Sequence, residues 1–498
     1  MSEQEKQTAS YRSIFKATTL FGGVQAYQIL IGIITSKFVA VLLGPLGVGI
    51  KGLFQSSIQV ISGFTSLGLS RSAVRDVSVA NGTEDRYKIG KTVAALRKLV
   101  WITGLFGMIL TIVLSPFLSK VTFGNYDYTL PFIFLSIILL FNQLSAGQMV
   151  VLQGLRKLKY LAKASAIGVT LGLIVSIPLY YMLGIKGIVP TLLLNALTSL
   201  LLSYYFSKKI AIEKVEVSSK EAFKEGKIMM RMGVAMSVSS VLTLLFSYLL
   251  RSFIRYNGSV EEVGIFTAGF AIVNTYVGMI FDAMVKDFYP RLSAVSNDNE
   301  KCSLLVNQQA EVGTYIMAPM LLACLTFMPI VIWGLYSSKF MGAMDYIYWA
   351  VPGMFFKLLS WAIALIFVSK GASKQYMFNE IFGSTLIFIC SVLGYYLCEM
   401  KGLGLGFTAG YFLYLVKVWW TARRSFGFSF STSFIKLYIT QFVFVALGLL
   451  CVIFLDGGMK YAIGIMLLCV SAFISIKGIN EQTKIVQLIR ERIRNGKE

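Results

Sequence analysis

Histidine is missing from all 498 residues. That absence excludes a histidine base and a histidine proton relay, and it removes the commonest protein ligand from zinc and haem sites. The cysteines Cys302, Cys324, Cys390, Cys398, Cys451 and Cys469 are scattered without a C-x-x-C pair, which argues against a metal knuckle or a dithiol redox motif. No metal and no cofactor is therefore expected, and no residue is given a catalytic role. Acids are scarce as well, with 24 Asp and Glu against 46 Lys and Arg for a net charge of +22. From Ser13 through Phe206 every acid (Asp76, Glu84, Asp85, Asp127) falls between apolar runs, so the first half offers no embedded carboxylate to a cationic ligand. The basic excess does not indicate nucleic acid, because the lysines and arginines are dispersed between apolar runs and line no hydrophilic domain.

What is abundant is apolar surface. At 56% apolar residues and a mean hydropathy of +0.71, the chain carries more than a soluble globule could bury, and it reads as an all-α polytopic membrane protein. Apolar runs of about 20 or more residues place fourteen spans, from 15–43 and 48–69 through 263–289, 304–335, 346–369, 376–398 and 403–422 to 434–455 and 459–477. The first run is too long for a secretory signal and is kept as a span. An even number of spans puts both termini on one side. The clustering of Lys and Arg in alternate loops puts that side in the cytoplasm.

Two halves are related. Val48-Gly49-Ile50 after one apolar run answers to Val263-Gly264-Ile265 after another, and Lys186-Gly187-Ile188 answers to Lys401-Gly402-Leu403, both at an offset of 215 residues. With six spans per repeat the two lobes share one orientation, as in two-lobed carriers. The expected organisation is an N-lobe over 1–206, a cytoplasmic inter-lobe linker over 207–227, a C-lobe over 228–424 and two extra spans over 425–478. A basic amphipathic tail over 479–498 follows, with Ile485, Val486, Ile489 and Ile493 at helical spacing opposite Arg490, Arg492 and Arg494.

Ionisable residues inside spans are costly and mark candidate sites. The cations are Lys37 in span 1, Lys51 opening span 2, Arg97 and Lys98 near the start of span 3, Arg251 and Arg255 ending span 7, Lys357 in span 10 and Lys417 in span 12. Lys51, Arg255 and Lys186 lie near enough to an interface to snorkel. Lys357 sits about eleven residues into its span, roughly 16 Å along the helix, near the midplane. It needs a water-filled cavity or an acid partner there. The acids of the second half are Asp282 and Asp287 with Lys286, Glu311, and Glu380, which could pair with Lys374. Asp282 and Lys286 suit a local ion pair at i,i+4. Pro352, close to Lys357, is a candidate bend. The Tyr, Phe and Met of the spans read as packing.

The stretches SKFVAVLLGPLGVGIKGLF (36–54), EEVGIF (261–266), YSSKFMGAMDYIYWAVPGMFFKLL (336–359) and KGASKQYMFNEI (370–381) together resemble the Wzx-type lipid-linked oligosaccharide flippases. These serve bacterial O-antigen and related glycan pathways and belong to the multidrug/oligosaccharidyl-lipid/polysaccharide exporter superfamily. The resemblance implies a fourteen-helix, two-lobed, non-enzymatic carrier in the bacterial inner membrane. It would move an undecaprenyl-diphosphate-linked oligosaccharide outward by alternating access through a cationic cavity. Lys37, Arg251, Lys357 and Glu380 resemble basic or acidic positions of that family, which implies diphosphate contacts by the three cations; Lys417 has no confident counterpart and joins them as an embedded cation, and Asp282 and Glu311 join Glu380 as candidate coupling or structural acids from their place in the spans. Implied partners are the lipid-linked anionic glycan, membrane lipids, and the polysaccharide polymerase and chain-length machinery. A lipid II flippase shares the lipid diphosphate. A cation or drug exporter of the same superfamily would need a membrane acid in the first half, and a membrane glycosyltransferase (polymerase or ligase) would need a larger outer loop than any here.

Overall fold

The computed structural model describes residues 3–483, without the side chains of residues 3–22 and of a few later helical positions. Among the described residues the chain is helical and contains no strand. It forms two compact units, Met1–Gly264 with Leu335–Ser337, and Ile265–Gly334 with Ser338–Glu498.

The first unit contains α1 (Glu3–Thr65), α2 (Leu69–Gly82), α3 (Arg86–Phe123), α4 (Thr129–Gly154), α5 (Leu158–Leu183), α6 (Ile188–Lys208), α7 (Ser219–Asn257) and the start of α8 (Val260–Phe270). Here α3 packs along α4, α4 and α5 pack along α6, and α1 packs along α5 and α7. The second unit continues from α8 through a π-helical segment, Ala271–Tyr276, into α9 (Met279–Ala294), α10 (Asn299–Leu335), α11 (Ala343–Ser369), α12 (Ser373–Phe426), α13 (Thr432–Phe454) and α14 (Gly457–Thr483). Its central helix is α11, apolar all round, which lies along α12 and touches α9 and α13.

Eleven stretches of described helix are long and apolar enough to cross a membrane. Three of them, Gly23–Thr65, Leu158–Lys208 and Ser373–Phe426, run 43, 51 and 54 residues. A crossing takes about 20 residues, so each is long enough for two. Each also carries a break: Gly44 at φ 64° before Pro45, a 3-10 turn over Gly184–Gly187, and non-helical backbone at Cys398 and Glu399. Taking each as a pair gives the fourteen crossings expected from the sequence.

The repeat is written into the packing. A Cβ on Gly49 would collide with the Val260 carbonyl, and one on Gly264 would collide with the Pro45 carbonyl. Pro45 and Val260 stand at the same 215-residue offset as the two glycines, so one close approach is made twice. Gly187 likewise meets the Leu179 carbonyl and Gly402 the Gly394 carbonyl, again at that offset. Glycine is required at these points because backbone approaches backbone. Gly402→Ala is expected to lower the thermal midpoint of the detergent-purified protein, at a cost of about 1–3 kcal/mol for overpacking. Gly334→Ala should not, since a Cβ there meets nothing within 4 Å. Equal midpoints in the two variants would remove the packing argument.

Two elements of the charged loops also pack. In α2, Leu69, Ala73 and Val77 form a buried stripe at i, i+4, i+8 against α4 and α7. The 207–227 connector does not hang free: Ile210 and Ile212 join the same apolar cluster, Lys98 Nζ donates to the Val217 carbonyl at 3.0 Å, and Lys91 pairs with Glu225 at 2.6 Å. Ser218 then starts α7 with a capping box, its hydroxyl accepting from the Glu221 N–H while the Glu221 carboxylate accepts from the Ser218 N–H. Those hydrogen bonds hold the Glu221 carboxyl below the usual carboxylate range. The amphipathic tail expected over 479–498 lies, from residue 484 on, outside the described residues.

Candidate functional site

Lys357 stands near the middle of the 27-residue α11. Its helical neighbours Met354, Phe355 and Leu358 are fully buried, while Lys357 itself is half-buried. Its ammonium donates to Asn274 Oδ1 at 2.9 Å and lies over the rings of Phe281 at 5.7 Å and Tyr411 at 5.4 Å. Asn274 belongs to the π-helical segment, a local widening of the helix that recurs at functional sites. Gly278 permits it, because a Cβ there would collide with the Asn274 carbonyl. A sequence reading that runs one helix through 263–289 misses this break, whose only local signals are an amide inside an apolar run and a glycine four residues on.

Glu380, near the start of α12, completes the cluster. Its carboxylate accepts from the Tyr414 hydroxyl at 2.5 Å and is within electrostatic reach of Lys357 and Tyr411. Tyr411 and Tyr414, one turn apart on α12, have ring centroids 6.5 Å apart. Glu380 therefore takes Tyr414 where the sequence offered Lys374. Asn274, Phe281, Tyr411 and Tyr414 all escaped the sequence reading, which took span aromatics as packing. Pro352 does not break α11; Thr408 Oγ1 donates to the Trp349 carbonyl at 2.5 Å, satisfying a backbone group in the turn that the proline loosens.

Lys37, on α1, is half-buried, and Arg251, on α7, donates from Nη1 to the Ser247 carbonyl at 3.1 Å and to the Ser247 hydroxyl. Both belong to the first unit, in which α1 and α7 pack together. Arg255 lies against Gly124, the left-handed cap of α3, where a cation favours the helix C-terminus. Lys417 lies over Phe378 at 5.8 Å, Phe382 at 5.9 Å and Trp420 at 5.1 Å, an aromatic cage on α12 whose rings are substantially exposed. Glu311, on α10, accepts a long hydrogen bond from Tyr315 at 3.4 Å and lines a cavity of about 670 Å³ with Arg291 and Asn307. Asp287 pairs with Arg291 at 3.1 Å. The side chains of Asp282 and Lys286 lie outside the described residues.

A second polar region lies in the first unit. Lys51 lines a cavity of about 480 Å³ together with Gln28, Thr35, Ser176 and Asn195. Its ammonium is 6.0 Å from the centroid of the Tyr180 ring. Lys51 is thus half-buried in the wall of a cavity, a position that its distance along the run does not reveal. Among the described residues no group of three His, Cys, Asp or Glu could share a metal ion.

The fold matches solved transporters at low identity. An inward-facing multidrug resistance MATE family transporter of the MOP superfamily superposes with a TM-score of 0.65 at 16% identity, over 80% of this chain and 94% of that one. The lipid II flippase MurJ, inward closed, gives 0.65 at 13% identity, over 93% of this chain and 99% of that one. A MOP superfamily transporter from Pyrococcus furiosus, described as having a binding pocket of reversed polarity, gives 0.58 at 14%, over 83% and 96%. No curated protein sequence matches the chain. The model of the polysaccharide biosynthesis protein family matches residues 38–345, more than half of the sequence, and the chain belongs to that family.

Proposed function

We propose that this protein carries an undecaprenyl-diphosphate-linked oligosaccharide, an O-antigen or related repeat unit, from the cytoplasmic to the outer leaflet of the bacterial inner membrane by alternating access. The observation that carries the reading is Lys357. A lysine in an apolar membrane helix costs at least ~2.5–3.5 kcal/mol, and here the asparagine of a π-helical break and two aromatic rings hold it in place. Such a scaffold suits a cation kept for an anionic ligand, and a diphosphate carries roughly two negative charges for lysine and arginine to solvate. Outward movement of that charge runs down an inside-negative potential worth about 2.3 kcal/mol per charge per 100 mV. Membership of a polysaccharide biosynthesis family supports a glycan as the cargo.

The test is where lipid-linked glycan accumulates when the protein is depleted. Complete, unpolymerised units on the inner leaflet are expected; accumulation on the outer leaflet would transfer the role to polymerisation or ligation. In proteoliposomes, Arg251→Ala is expected to slow transfer more than Arg251→Lys, because a planar guanidinium binds a phosphate edge and lysine keeps only the charge. Equal rates in the two variants would reduce Arg251 to an anchor.

A further inference from the structure

Resting on that reading of the cargo, we propose that the cavity of the first unit is a subsite for an acidic sugar of the transported glycan, with Lys51 pairing the sugar's carboxylate. At about 480 Å³ the cavity lies within the range of small-ligand sites, ~300–1,000 Å³. Gln28, Thr35, Ser165, Ser176, Asn195 and Ser199 contribute hydroxyls and amides to its lining, the groups that exchange hydrogen bonds with sugar hydroxyls. They are arrayed by helix: Gln28 and Thr35 on α1, Ser165 and Ser176 on α5, Asn195 and Ser199 on α6. Asn195 donates from Nδ2 to Ser176 Oγ at 3.2 Å, while its Oδ1 is buried with no hydrogen-bond partner among the described residues. That oxygen lies beside Gly172, where an added Cβ would stand 3.4 Å from it.

Charge decides which anion the site takes. Lys51 is the single ionisable residue of the lining, and among the described residues no ion pair or hydrogen bond engages its ammonium. One ammonium balances one carboxylate. A diphosphate, with about two charges, would be left half-compensated in a low-dielectric site, which is costly. The same ammonium could still be reached by the diphosphate of the lipid carrier, so the experiment must separate the two sources.

The full-length protein in detergent is titrated with D-glucuronate, D-glucose or inorganic pyrophosphate while its thermal midpoint is followed, since a ligand that binds the folded state raises it. D-glucuronate is expected to act at a concentration at least several-fold lower than D-glucose. Lys51→Gln should bring the two sugars level, and Lys51→Arg should preserve the difference. Gly32→Leu should abolish both responses, because Gly32 lines the cavity and an added Cβ meets nothing within 4 Å, so the larger side chain fills the space without a clash at the backbone. A Lys51-dependent response to pyrophosphate, with glucuronate no better than glucose, would assign the lysine to the carrier's phosphates and overturn the proposal. The absence of any Lys51-dependent response would overturn it too. Failure of the function itself would show differently, as a lack of lipid-linked glycan transfer in proteoliposomes while the soluble-sugar response persists.

Discussion

Lys357→Ala is expected to abolish glycan export while the protein stays at normal levels in the membrane. Truncating one partner of a buried charged contact costs about 2–5 kcal/mol, and ~3 kcal/mol corresponds to on the order of a hundredfold. Lys357→Arg should keep part of the activity, since it retains a donor-only cation. Lys357→Glu should be worse than alanine, because it adds repulsion of the diphosphate and of Glu380 to the lost contact. Stability should move the other way. Lys357→Met keeps an unbranched stem between Phe281 and Tyr411 and removes the cost of holding an ammonium in the membrane, so its thermal midpoint should equal or exceed that of the wild type. Transport at the wild-type rate by Lys357→Ala would refute the assignment. A collapsed midpoint in Lys357→Met would show that the lysine serves the fold.

The fold was legible because its signals are long. Runs of about 20 apolar residues identify membrane helices whatever their neighbours, and the 215-residue offset survives in glycines where an added Cβ would collide with a facing backbone. Lys357 was legible for a related reason: a charge in an apolar run is rare, and depth along a helix can be counted. Its partners were not. Asn274 acts through a local change of helical pitch, to which hydropathy is blind, and Tyr411 and Tyr414 look like packing until Glu380 is placed beside them. The place of Lys51 in a cavity wall was not legible, because counting residues to the end of a run says nothing of which way a side chain faces. The signal lay in the neighbouring helices: Ser165, Gly168, Gly172 and Ser176 fall at three- and four-residue spacing on α5, and Asn195 and Ser199 repeat the pattern on α6, marking small and polar faces that line a cavity.

Glu380→Gln is expected to raise the apparent affinity for the lipid-linked substrate and to lower turnover. Glutamine can still accept the Tyr414 hydroxyl, so the local structure should persist and the change isolates the charge. The carboxylate is within electrostatic reach of Lys357, so on the proposed reading it would compete with an incoming diphosphate for that ammonium. Removing the competitor favours the bound state; an effect of about 1.4 kcal/mol would appear as a tenfold lower KM. The same change deprives the release step of the group that reclaims the lysine, so kcat should fall. Steady-state transfer in proteoliposomes with the two constants resolved is the measurement, and an unchanged or weakened affinity would show that the acid does not compete. The driving force can be read in the same vesicles. If membrane potential suffices, the variant should still respond to an imposed potential. A dependence on the pH gradient that disappears in Glu380→Gln, or only when Glu311→Gln is added, would instead make these acids carriers of a coupling proton.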